Sequence, residues 1–167
     1  MVKRWFLRLV LVAVLAAGAY WAWQFLFPNQ EQLIRNELDS LAKAASIAPG
    51  ESALARLAKA QGLTTYFTTN AQVVVDIPGR IERTLNGREE LLEAAGGARA
   101  SLHSLNVKLL DVQVLLGPDK QSADASMTLE ATMPGESVPE VQQVKASLTK
   151  VGGEWLIQHA ETVRALR

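Results

Sequence analysis

Cysteine is absent from the 167 residues. That excludes a disulfide framework, a thiolate nucleophile and any cysteine metal site, and a domain outside the cytoplasm would have to rely on its core alone. Histidine is scarce as well. His103 and His159 are the only two, and they lack the spacing of a metal motif, so no metal is expected. Charge of one sign is missing: 17 basic and 17 acidic side chains give a formal net charge of zero. Beyond the first residues the signs are interspersed. Arg80, Arg83, Arg88 and Arg99 alternate with Glu82, Glu89, Glu90 and Glu93, which reads as a solvated mixed-charge surface. Without a basic stripe or aromatic-basic interleaving, nucleic acid is not an expected partner. No internal repeat, low-complexity tract or acidic tail occurs. Gly87-Arg88 and Gly152-Gly153 stand in turn contexts and form neither a phosphate loop nor a dinucleotide fingerprint, so no cofactor is expected. No serine sits in a nucleophile-elbow pattern.

What is present begins with one long apolar run. Lys3, Arg4 and Arg8 precede Leu9 to Phe27, broken only by Gln24. At about 1.5 Å per residue, these roughly 19 residues make a helix near 28 Å, the thickness of a hydrocarbon core. Ala17-Gly18-Ala19 has the small-x-small look of a signal cleavage site. Cleavage there would leave Tyr20, Trp21, Trp23, Phe25 and Phe27 as an exposed aromatic terminus. As the outer end of an uncleaved span, the same residues form an interfacial belt, with Trp5 and Phe6 as its inner counterpart. The positive-inside bias puts the N-terminus in the cytoplasm. The expectation is a single-pass signal anchor over 1–28, with residues 9–27 in a bacterial inner membrane. Residues 29–167 then form one extracytoplasmic (periplasmic) domain.

The domain opens on helical spacing. Asn29-x-x-Gln32 resembles a capping box ahead of Leu33, Ile34, Leu38, Leu41, Ala42 and Ala45. Pro49-Gly50 ends that helix, and Ser52 caps a second carrying Leu54, Leu57 and Ala58. The period then changes to two. Gln72 to Ile77 reads as a strand stopped by Pro78-Gly79, followed by a short strand over Ile81 to Leu85. Asn86-Gly87 turns into a third helix from Arg88 to Ala95, which Gly96-Gly97 ends or loosens. Leu105 to Leu116, Ser122 to Met133 and Val141 to Val151 follow as strands, and Gly152-Gly153 turns the last into a hairpin with Glu154 to Val163. The clearest alternation places Ala123, Ala125, Met127, Leu129 and Ala131 on one face. Segregated helices over an antiparallel sheet predict an α+β domain.

The paired N-terminal helices, the "VVVDIPG" strand, the "LNGREELLEAA" turn-helix and the "GGEWLIQHAET" hairpin resemble the nuclear transport factor 2-like superfamily, especially its SnoaL-like branch. The resemblance covers about Gln30 to Leu166. It implies about three helices packed on a curved antiparallel sheet, forming a cone with an open mouth. It also implies a homodimer through the outer sheet face, and a small apolar ligand inside or an envelope protein as partner. Strict alternation along the last strand puts Trp155, Ile157, His159, Glu161 and Val163 on one face. If Trp155 and Ile157 point into the cone, as in the family, His159 and Glu161 line it toward the mouth. With Tyr66, these four are the expected ligand pocket. Two functions follow. One is a membrane-tethered binding or assembly module. The other is an isomerase, cyclase or dehydratase with His159 as general base and Asp76, Asp111 or Tyr66 assisting, Tyr66 as the oxyanion donor of related ketosteroid isomerases. They differ in convergence: an enzyme gathers at least two of these groups around one enclosed pocket.

Overall fold

A computed structural model describes residues 29–77, 81–135 and 138–163. The elements are α1 (Gln30–Ala45), α2 (Ala53–Thr64), β1 (Phe67–Ile77), β2 (Ile81–Asn86), α3 (Gly87–Ser101), β3 (Asn106–Leu116), β4 (Ser122–Thr132), β5 (Glu140–Val151) and β6 (Glu154–Val163). This is the expected α+β order, with three helices on one six-stranded sheet. The expected anchor over 1–28 lies outside the described residues. Among those described, no helix is long and apolar enough to cross a membrane.

Local chemistry accounts for the helix starts. The Asn29 side chain accepts from the Glu31 N–H at 3.1 Å, and Ser52 Oγ accepts from the Ala55 N–H at 3.2 Å; each satisfies one of a helix's orphan donors. At α3 the Asn86 side chain makes no such bond. Instead Glu90, one turn in, takes the Asn86 N–H at 2.7 Å. This helix runs through Gly96-Gly97 to Ser101, longer than its glycines suggest. The reason is tertiary. Arg99, only 2% exposed, donates to Glu51 Oε2 at 3.1 Å and to the carbonyls of Ala44 and Ser46, pinning the last turn of α3 to the end of α1.

The strand order is β2-β1-β6-β5-β4-β3. The sheet is mixed and not wholly antiparallel, because β1 and β6, the outermost strands in sequence, pair in parallel near its middle. The inner face of β4 and β5 follows the expected alternation: Ala123, Ala125, Met127, Ala146 and Leu148 are all buried. They pack with Ile34 and Leu38 of α1, Phe67 and Ala71 of β1, and Trp155 and Ile157 of β6 in one core. Three ladders carry a register shift: β1 against β6 between Phe67 and Gln72, and two more that bear on the candidate site. On β3 the register with β4 shifts between Leu110 and Gln113, and Asp111 sits in the left-handed region with φ of 52°. On β6, Ile157 faces Leu148 and His159 faces Ser147, so Gln158 is the extra residue of a bulge.

Candidate functional site

The bulge at Gln158 decides where the candidate chemistry sits. One extra residue reverses the facing of everything after it. Trp155 and Ile157 point inward and are buried, as expected. Beyond the bulge Ala160 takes the inward position, and His159 and Glu161 turn to the outer face. They do not line the interior beside Trp155 and Ile157, because the alternation that would place them there is interrupted. The second bulge does the same on β3. Val112 and Val114 are the shielded residues after it, whereas Asp111 and Gln113 are exposed. Asp111 therefore does not reach the interior.

On the outer face a shallow groove of about 560 Å³ runs across β3 to β6. His159 Nε2 lies 3.6 Å from Glu161 Oε2, with side chains 37% and 48% exposed. Ser147, directly opposite His159, donates from Oγ to Asp124 Oδ1 at 2.8 Å. Lys145 is opposite Glu161 on the adjoining strand. The row Asp124, Ser147, His159 contains the residue types of a nucleophilic triad in the wrong arrangement. The serine hydroxyl is engaged by the aspartate, and the histidine's acidic neighbour is Glu161.

The remaining candidates are dispersed. Tyr66 follows α2 in the turn before β1. It is half-buried against the core, and its C=O accepts from the Ile157 N–H at 2.9 Å. Asp76 is near the end of β1. Its N–H donates to Thr162 Oγ1 at 2.7 Å, and its C=O accepts from that hydroxyl at 3.1 Å. No common pocket receives His159, Asp111, Asp76 and Tyr66. Among the described residues no group of His, Asp and Glu is placed to hold a metal.

Between α1 and the inner sheet face lies a cavity of about 250 Å³, bounded by Leu41, Ala42, Val107, Met127, Val144 and Ile157 among others. Its surface is apolar throughout. Of the expected pocket residues Ile157 and Glu161 border it, the latter without its carboxylate, which meets His159. Trp155 does not. It fills the end of the core nearest the start of α1, where its indole N–H donates to Gln30 Oε1 at 3.2 Å. The second half of α1, β1 and β6 supply four lining residues each and so most of the wall, and β3, β4 and β5 add two apiece. The apolar periodicity of α1 and of β4 marks those two as core-facing in the sequence. That the core leaves a void there depends on the many alanines opposite, among them Ala42, Ala45, Ala146 and Ala160.

Arg99 was not separable from the surface arginines by composition. One signal for it exists: Leu91, Ala95 and Arg99 recur every four residues on one helix face, and Leu91 and Arg99 are both buried. Its partner Glu51 also takes Lys59 Nζ and the Ala48 N–H. The Lys59 hydrogen bond, the Ala48 N–H and the nearby cationic charges hold the Glu51 carboxyl below its ordinary pKa.

No protein-family model matches the chain, and no curated protein matches it. Solved structures do. A nuclear transport factor 2-like protein of unknown function from Pseudomonas putida is 12% identical, with a TM-score of 0.63, and the match covers 82% of this chain and 87% of that one. A proposed scytalone dehydratase from Novosphingobium aromaticivorans is 13% identical, with a TM-score of 0.60 over 81% and 88% of the two chains. A domain of unknown function with a cystatin-like fold from Nostoc punctiforme is 16% identical, with a TM-score of 0.61 over 84% and 80%. At such identities the likeness speaks of architecture and not of activity. The chain has the nuclear transport factor 2-like, or cystatin-like, fold.

Proposed function

We propose that this chain is a membrane-tethered binding module that holds its cone outside the cytoplasmic membrane and takes a small apolar molecule into it. The observation that carries the reading is the cavity of about 250 Å³ with an apolar wall, which none of His159, Asp111, Asp76 and Tyr66 enters with its side chain. An apolar wall without a fixed acid or base can bind and shield a ligand, but it offers nothing to move a proton. The tether rests on the apolar run over residues 9–27 and its basic flank. The enzyme reading, with His159 as general base inside the cone, lacks the convergence it needs. Its histidine and glutamate share the outer groove instead.

Methionine gives the test a built-in control, because the chain has only three. Met127 borders the cavity, whereas Met133 lies in a separate surface cleft with Pro134. In full-length protein in lipid nanodiscs, methyl-labelled at methionine, small apolar molecules should shift the Met127 signal in a saturable way and leave Met133 in place. An unmoved Met127 up to the solubility limit of such compounds would sink the reading.

A further inference from the structure

The fold has two ends, and the chain enters at only one of them. Gln30 starts α1 and is tied to the β5–β6 hairpin: its Oε1 accepts from Lys150 Nζ at 2.8 Å and from Trp155 Nε1 at 3.2 Å. The β3–β4 turn joins the same end, since the Lys150 N–H donates to the Gln121 C=O at 2.8 Å. The run that ends at Phe27 is three residues from Gln30, and three residues reach at most about 10 Å. This entry end therefore cannot stand off from the surface into which that run inserts. Its exposed side chains include Lys120, Val151 at 52% and Leu115 at 73%, with Asp119 and Glu154 as the acids beside them.

The cavity belongs to the other end. Ile34, Ala123, Ala125, Leu148 and Trp155 close the entry half, each 3% exposed or less, and none borders the cavity. Its wall extends instead to Ala45 at the end of α1, Val75 late in β1, Val107 at the start of β3, Leu129 late in β4 and Thr162 late in β6. All five lie at the far ends of their elements. The 16 residues of α1 set that end about 24 Å from the entry point.

From this polarity we infer that the cavity opens away from the membrane that anchors the chain, and that its occupant is a water-borne apolar small molecule and not a lipid drawn from the bilayer. The inference rests on the tethered reading of residues 9–27 and adds the direction from which the cone is filled.

The absence of cysteine allows a direct test with single-cysteine variants of the full chain. Lys120→Cys reports the entry end, and Val138→Cys, at a site 76% exposed before β5, reports the far end. Glu154→Cys and Val141→Cys are the second choices should either fail to fold. Each is labelled with a fluorophore and reconstituted in phosphatidylcholine–phosphatidylglycerol vesicles carrying a nitroxide on the headgroup. The expected result is loss of fluorescence at position 120 and none at position 138. Quenching at both positions, or at 138 alone, in protein that resists an alkaline carbonate wash overturns the inference while the anchor stands. Release of the chain by that wash overturns the anchor and the inference together.

Discussion

Two charged clusters in this domain use similar residue types and come out differently. Arg99 and Glu51 meet at 3.1 Å with side chains 3% and 5% exposed, at the junction of the three helices. His159 and Glu161 meet at 3.6 Å on the outer sheet face with more than a third of each side chain in water. The first cluster is saturated. Arg99 bonds a carboxylate and two carbonyls, its own C=O accepts from Arg56 Nη1, and Glu51 takes Lys59 and a backbone N–H. The second is open, with donors and acceptors still facing solvent. A saturated buried ion pair fixes the mutual placement of the elements that carry it, and an exposed one leaves its groups available. The lesson for function is that the ionisable residues fixing the helices of this domain are not the ones the sequence offers as catalytic.

The largest effect should come from breaking the buried cluster. Arg99→Ala removes one of the donors to Glu51 and the Arg99 donor to the carbonyls of Ala44 and Ser46 in a dry junction. The expected loss is about 3–5 kcal/mol of stability, read by urea unfolding. A loss below about 1 kcal/mol would mean the junction is wetter than its burial implies, and the contrast with the outer face would collapse. An intermediate effect is expected from acid. The Glu51 carboxyl has its pKa lowered in the folded state, so its stabilisation is present above the ordinary carboxylate value of 4.5 and is lost as pH falls through the lower, folded value. Glu51→Gln should therefore lower stability at neutral pH by less than Arg99→Ala, since an acceptor remains, and should flatten the fall in stability below pH 4.5. An unchanged acid limb would assign the sensitivity to another carboxylate, with Asp119 the next to examine. Its pKa is also lowered, by the Gln121 N–H and then by the hydroxyl and N–H of Ser122.

The contrast also explains how much was legible beforehand. Caps and periods are local, and they place most elements: Asn29 and Ser52 start α1 and α2, and the alternation of Ala123, Ala125 and Met127 marks the inner face of β4, while Leu129 and Ala131 are only half-buried. A bulge is local in space but silent in sequence. Nothing in Leu156-Ile157-Gln158-His159 marks Gln158 as the residue with no place in the ladder, yet it sends His159 and Glu161 to the opposite face. Leu110-Asp111 misleads in the same way, on a strand apolar on both faces. The continuation of α3 through Gly96-Gly97 was hidden for a different reason: its cause, Arg99 reaching Glu51 and α1, is a contact 48 residues distant in the chain. The parallel β1–β6 pair likewise joins strands whose proximity depends on the whole wrap of the sheet.

The smallest effect tests the outer face itself. His159→Ala and Glu161→Gln should each change stability by no more than about 1 kcal/mol, because a screened, half-exposed pair contributes little. That holds for a face in water. Were two copies to pair through the outer sheet, as the fold resemblance suggests, the pair would be dried and Leu115 would be covered, and removing one partner would cost several kcal/mol. Urea midpoints measured for both variants over a hundredfold range of protein concentration separate the cases. Small shifts independent of concentration leave the groove open for a solute or partner. A large shift that grows on dilution marks the face as a subunit interface, and the outer cluster would then resemble the Arg99 junction in energetics as well as in residue types.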